Sequence, residues 1–256
     1  VIFGGFFSAL AFLTSIPIPD ALKSRRESGM FAGYPAAGLL IGAVLSAAAA
    51  GAAWLFPPVI AAVVLTGVSL LLTGAIHLDG LADCADAFYG RRDRDTVLRI
   101  LKDPRVGTMG GAAIGLSLLL RTGTFLSLPP LLLVAALPIA SMFSRSSVLA
   151  AMRVLPYVRG DSGIISGRPA SGAGHVALAS AAILVSAGVL PVPTVAALIA
   201  CIIFWRMSWK KIGGCTGDVL GATIEIGEIV FLLALAAETR LGLSWGALFP
   251  LLNLVR

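Results

Sequence analysis

Long apolar runs alternate with short charged ones along this chain, and proline marks every second junction. Val1 to Thr14 is apolar but too short to cross a bilayer comfortably. Pro17 and Pro19 stop it, so the pattern predicts an interfacial or re-entrant helix. Pro35 to Ile76, broken at Pro57-Pro58, predicts two membrane helices joined by a tight turn. Gly110 to Leu128 and Leu131 to Met152 form a second pair around Pro129-Pro130. Val176 to Leu190 and Thr194 to Trp209 form a third around Pro191 and Pro193. Leu220 to Leu235 and Gly242 to Val255 complete a fourth, with Glu238 and Arg240 in its turn. The expected fold is an all-α, polytopic integral membrane helix bundle of about seven to eight transmembrane segments in hairpin pairs. It forms one domain over residues 1–256. The hairpin loops do not resemble one another, so similar topology carries no internal sequence repeat.

Composition agrees: 58% hydrophobic and 12% charged residues, with a mean hydropathy of +0.96, exclude an ordinary soluble fold. The proline turns lack Lys and Arg, whereas the loops between hairpins are basic, as at Lys23, Arg25 and Arg26 or at Arg153, Arg159 and Arg168. The positive-inside rule therefore predicts that all charged loops face the cytoplasm. A net charge of +6 then speaks for anionic headgroups, and with no basic–aromatic stripe no nucleic-acid partner is expected. Cys84, Cys201 and Cys215 are scattered, without CxxC spacing, and read as small buried residues. No basic region and cleavage site precede the first apolar run, so a slightly trimmed start and no removed signal peptide are expected.

Chemistry concentrates in Thr73 to Gly110. If Leu78 to Ala87 is helical, Asp79, Asp83 and Asp86 fall within about 40° of one another on one face. Like charges so close repel unless a cation lies between them, and oxygen-only ligands favour a hard ion such as Mg²⁺. Arg91, Arg92, Arg94, Arg99, Lys102 and Arg105 follow and complement phosphate oxygens; the alternative is a solvated charged loop. A second constellation spans Lys210 to Glu228. Gly213, Gly214 and Gly217 allow tight turning, and Asp218 opens a helix as metal contact, general base or N-cap. Glu225 and Glu228 lie in apolar surroundings and either pair with Arg121 or Arg145 or act in catalysis. His77, at the membrane edge beside Asp79, reads as a hydrogen-bonding residue that is structural or supports a metal ligand, the alternative being metal ligation itself, which hard ions disfavour. Both constellations fall at the same end of the bundle, which predicts a polar chamber there.

Three ordered motifs are specific. HLDGLADCADAF at His77 to Phe88, ILKDPRVGTMGG at Ile100 to Gly111 and GGCTGDVLGATIEIGE at Gly213 to Glu228 together resemble the cobalamin synthase family, the adenosylcobinamide-GDP ribazoletransferases. LTSIPIP at Leu13 to Pro19 and YPAAGLLIG at Tyr34 to Gly42 are similar to that family's start. The resemblance implies a multi-pass enzyme of a bacterial or archaeal inner membrane, its active site facing the cytoplasm. Such an enzyme joins adenosylcobinamide-GDP to α-ribazole or its 5′-phosphate with release of GMP and requires Mg²⁺. Other expected partners are the lipid bilayer and either a second copy of the chain or other cobamide-assembly enzymes. By motif position it implies Asp79, Asp83 and Asp86 as metal ligands, and Lys102, Arg105 and Asp218 as catalytic groups. It assigns Asp103, Gly107, Gly213, Gly214, Thr216 and Gly217 to substrate binding, to which the charge pattern adds Arg91 and Arg92 as phosphate partners. Ala87 and Pro104 depart from the family's usual Gly and Ser without removing a charge. Rival readings are a CDP-alcohol phosphotransferase, which expects Arg where Cys84 stands, a UbiA-like prenyltransferase, which expects a second acidic cluster, and an ion-coupled transporter, which expects its acids near mid-bilayer.

Overall fold

The computed structural model describes residues 2–24, 27–158 and 173–243, and these form helices and connecting turns. In order the helices are α1 (Ile2–Leu13), α2 (Glu27–Ala32), α3 (Tyr34–Leu55), α4 (Pro58–Thr73), α5 (Ile76–Phe88), α6 (Arg94–Ile100), α7 (Thr108–Ser127), α8 (Pro130–Val154), α9 (Ala173–Val189), α10 (Pro191–Ile212) and α11 (Gly217–Leu241). Proline opens α4, α8 and α10, where its missing N–H removes no intrahelical bond. The three proline turns therefore join α3 to α4, α7 to α8 and α9 to α10, but only the first and third of these pairs pack as hairpins: α7 lies against α4 and α5, and α8 against α3 and α11. The polytopic bundle holds as well, with a lower count of spans: among the described residues α3, α7, α8, α10 and α11 are long and apolar enough to cross a membrane, and the α4–α5 pair makes six. The turn expected at Glu238 and Arg240 is not there. Helix α11 runs through Glu238 and Arg240 to a left-handed cap at Gly242, with Glu238 buried, and the segment expected from Gly242 to Val255 lies largely outside the described residues.

Polarity is arranged inside out relative to a water-soluble protein. Leu71, Leu119, Leu184 and Ile203 lie on the outside, while α8 buries Ser141, Ser144, Arg145, Ser146 and Ser147. Helix α3 packs closely on α8 through Gly38 and Gly42. A Cβ on Gly38 would stand 2.5 Å from the Ser141 carbonyl oxygen. Pro138 inside α8 cannot donate to the Val134 carbonyl, and Ser46 of α3 donates to it instead at 2.6 Å.

The feature that shapes the functional end is a break of 89° between α4 and α5. Gly74 and Ala75 both take left-handed conformations (φ 60° and 56°), and Ala75 N–H reaches back to the Leu70 carbonyl, a Schellman-type stop. Ser15 caps the remaining carbonyls. Its N–H donates to Leu72 O at 2.8 Å and its hydroxyl to Leu71 O at 2.6 Å. A broken helix at this depth is tolerated because its backbone groups are satisfied by protein.

Candidate active site

Helix α5 packs across the first turns of α11, and glycine sets the approach. A Cβ on Gly80 would lie 2.7 Å from Asp218 O and 3.2 Å from Asp218 Cα, and the Cβ position of Gly221 is 3.7 Å from Gly80 Cα. Asp79 and Asp83 lie within one turn of Gly80 on α5, the helix that meets Asp218. Asp79 is exposed and without an ion-pair partner among the described residues; Asp83 and Asp218 are half-buried. Thr216, rather than Asp218, caps α11 by accepting from Val219 N–H, and its hydroxyl is 3.1 Å from Asp218 Oδ2. Asp218 is therefore relieved of the capping role and sits in the first turn of α11.

Asp86 does something else. Its Oδ2 accepts from Gly107 N–H at 2.6 Å and its Oδ1 from Gly110 N–H at 2.8 Å, so it anchors the start of α7. The acidic triplet read from spacing thus divides into Asp79 and Asp83 at the crossing and Asp86 at a helix terminus. Among the described residues no three His, Cys, Asp or Glu side chains converge as a preformed metal shell. The donors at the crossing are all hard carboxylate oxygens, and Mg²⁺ commonly takes one or two of these and completes its shell with waters and phosphates.

The expected phosphate-binding residues surround this crossing on loops. Lys102 is exposed, with no ion-pair partner among the described residues. Arg105 grips Asp103 with both arms of its guanidinium, Nε to Oδ1 at 2.9 Å and NH2 to Oδ2 at 2.8 Å; these hydrogen bonds hold the Asp103 carboxyl down to about 2. Arg91 is exposed, while Arg92 donates to the Asp86 carbonyl at the end of α5. Two further cations, singled out less sharply by sequence, tie the loops together: Arg94 donates to Ile212 O at 2.9 Å and Lys211 to Gly90 O at 2.6 Å.

The glycine-rich turn is shaped by packing at two points. Gly213 ends α10 in a left-handed conformation (φ 77°), and Gly214 leaves no room for a side chain against the Pro156 carbonyl. Pro156 to Val158 then pair with Gly214 and Cys215, Val158 N–H donating to Cys215 O at 3.0 Å and Cys215 N–H to Pro156 O at 2.8 Å. Burial pushes the Cys215 thiol up to about 12, so it is an inert packing group. Gly217 has nothing within 4 Å of where a Cβ would stand, so neither packing nor backbone conformation demands glycine there.

Deeper on α11 the remaining acids are paired. Arg121 donates to Glu225 Oε1 and to Glu228 Oε1, both at 2.8 Å, Arg145 donates to Glu228 Oε2, and Ser117 donates to Glu225 Oε1 at 2.7 Å. Of the two readings open for Glu225 and Glu228, ion pairing with Arg121 and Arg145 is the one observed.

A family model described as cobalamin-5-phosphate synthase matches residues 5–236. The adenosylcobinamide-GDP ribazoletransferase of Rhizobium etli is 38% identical over 248 residues, covering 89% of this chain and 94% of the relative. That of Klebsiella pneumoniae is 35% identical, with 90% and 98% covered, and that of Chlorobaculum tepidum 34%, with 94% and 98%. No solved structure matches.

Proposed function

The chain belongs to the cobalamin-5-phosphate synthase family, and from that premise we propose that its helix crossing at Gly80 and Gly221 is the centre that joins adenosylcobinamide-GDP to α-ribazole or its 5′-phosphate. It is a multi-pass membrane enzyme of cobalamin biosynthesis. The observation that carries the assignment is the close approach of α5, which bears Asp79 and Asp83, to the first turn of α11, which bears Asp218.

In the reaction a ribose hydroxyl oxygen forms a bond to the cobinamide-linked phosphorus, the bond from that phosphorus to the bridging oxygen breaks, and GMP leaves with the bonding pair. Negative charge grows on the leaving and equatorial oxygens, so positioning and electrostatic stabilisation do most of the catalysis. Asp79 and Asp83 would hold Mg²⁺, which when bound neutralises pyrophosphate oxygens. Lys102 supplies a free ammonium, and Arg105, already held in the plane of Asp103, presents its outer edge to phosphate. Asp218 accepts the proton of the attacking hydroxyl. Asp86 acts indirectly, fixing the Gly107 turn and with it the loop that carries Lys102 and Arg105. The distribution of Lys and Arg supports a cytoplasmic orientation for this end.

The test is a reconstitution: purified protein, adenosylcobinamide-GDP, α-ribazole and Mg²⁺, with GMP release followed with and without chelator. Chelation should abolish turnover and added Mg²⁺ restore it. Unchanged turnover in chelator removes the metal role, and absence of GMP with both acceptors removes the reaction.

A further inference from the structure

Helix α5 reaches the crossing from a break, so continuity with α4 does not fix its direction. Asp86 anchors its far end on α7, and Gly80 sets its middle against α11. Its near end has no side-chain cap, because Ala75 occupies that position. What stands there is His77, in the first turn and two residues ahead of Asp79, only 5% exposed. Its Nε2 has no hydrogen-bond partner among the described residues, and neither have Arg121 Nε and Arg145 Nε nearby.

A cavity of about 10 Å³ lies between these atoms, lined among others by Ser69, Thr73, His77, Arg121, Arg145 and Glu228. That volume matches a single water molecule, which needs about 10–15 Å³ and two to four polar partners. A second polar side chain or an ion with its shell would not fit. Water also suits either tautomer of the imidazole, since it both donates and accepts. The ionic cluster beside the cavity is balanced, two guanidinium groups against two carboxylates, so it has no charge left for a counter-ion.

We propose that this cavity binds one ordered water that joins His77 Nε2 to the Arg121–Glu228–Arg145 cluster, and that His77 is thereby a positioning residue holding α5, with Asp79 and Asp83, against α11 and Asp218. The water supplies the polar anchor that the near end of α5 lacks. The consequence for metal binding rests on the function proposed above; the water itself does not. Partners of this kind, one step removed from a ligand, typically change metal affinity or activity about 10–100-fold when lost.

Two variants and a map test it. A structure determined at a resolution that shows ordered water should have density within hydrogen-bond reach of His77 Nε2, and a clear map without it overturns the proposal. His77→Leu should melt near wild type yet bind Mn²⁺, measured by electron paramagnetic resonance on detergent-purified protein without substrate, about tenfold more weakly. It should also lower kcat more than it raises KM for adenosylcobinamide-GDP. His77→Gln, which keeps a polar atom facing the cavity, should recover most of both losses. A His77→Leu protein that binds Mn²⁺ and turns over like wild type overturns the proposal, as does a His77→Gln protein no better than His77→Leu. If wild type itself binds no Mn²⁺, the metal reading falls, and kcat in the same two variants decides the positioning role.

Discussion

Helix α11 carries acid at two depths, and the two places behave oppositely. Asp218, in its first turn, faces another helix that brings acids of its own, one of them exposed. Glu225, seven residues and about 10 Å further along the same helix, is buried with Glu228 against two arginines that match them charge for charge. Similar side chains thus produce a place that carries acid near solvent and a place that cancels charge in the interior. The partners across the interface, not the acids themselves, separate a binding site from a scaffold.

The comparison breaks most readily at its buried half. Glu228→Leu removes one partner of a fully buried pair and leaves Arg145 uncompensated, so it should cost about 3–5 kcal/mol of stability, read from unfolding in detergent. Replacing both, with Glu228→Leu and Arg145→Met together, should restore much of that loss. A single variant as stable as wild type would mean that the cluster is not an ion-pair scaffold. The other half predicts the reverse pattern. Asp83→Asn should leave melting within about 0.5 kcal/mol while lowering turnover by at least about 10²-fold, the scale of one lost electrostatic stabiliser. Near-wild-type turnover would strip the crossing of its catalytic role.

Geometry at the crossing can be loosened without touching a charge. Gly80→Ala puts a methyl 2.7 Å from Asp218 O, a backbone atom, so α5 has to move away from α11. Displacements well under 1 Å at a reacting centre are consistent with about a tenfold loss in kcat, and half-saturation by Mg²⁺ should rise with it. Gly111→Ala, where nothing lies within 4 Å of the new methyl, is the matched control and should be silent. Equal behaviour of the two variants would show that the approach of α5 to α11 does not matter.

Much of this was legible from residue pattern, and the exceptions have physical reasons. Proline turns and apolar lengths located the helix junctions because proline fits best in the first helical turn, as Pro58, Pro130 and Pro191 show. The break at Gly74 was hidden, since hydropathy runs unchanged into Ile76 while the Gly74 and Ala75 backbones reverse hand. Glu238 and Arg240 suggested a turn because charge usually lies at membrane edges. Glu238 is instead 2% exposed within α11, and Gly242 is the stop. At the site, helical spacing placed Asp79, Asp83 and Asp86 on one side. It could not show that two backbone amides from another helix occupy Asp86, nor that Ser15, inside a motif noted only for resemblance, caps α4.

Asp86 offers the smallest and sharpest test. Its two oxygens each accept one amide, Gly107 and Gly110, and a Cβ on Gly107 would stand 2.6 Å from Oδ1, so the carboxylate fills the turn it anchors. Asn keeps one acceptor and replaces the other with a donor that meets an N–H. Asp86→Asn should therefore lose one hydrogen bond at a helix start, about 1 kcal/mol of stability, and reduce turnover less than about tenfold through the displaced loop, well short of the 10²-fold scale of a lost stabiliser. Its Mg²⁺ requirement should match wild type, whereas that of Asp83→Asn should not. If instead Asp86→Asn falls as far as Asp83→Asn and demands more metal, all three aspartates share the ion, and the amide contacts of Asp86 describe only a resting arrangement that the substrate complex replaces.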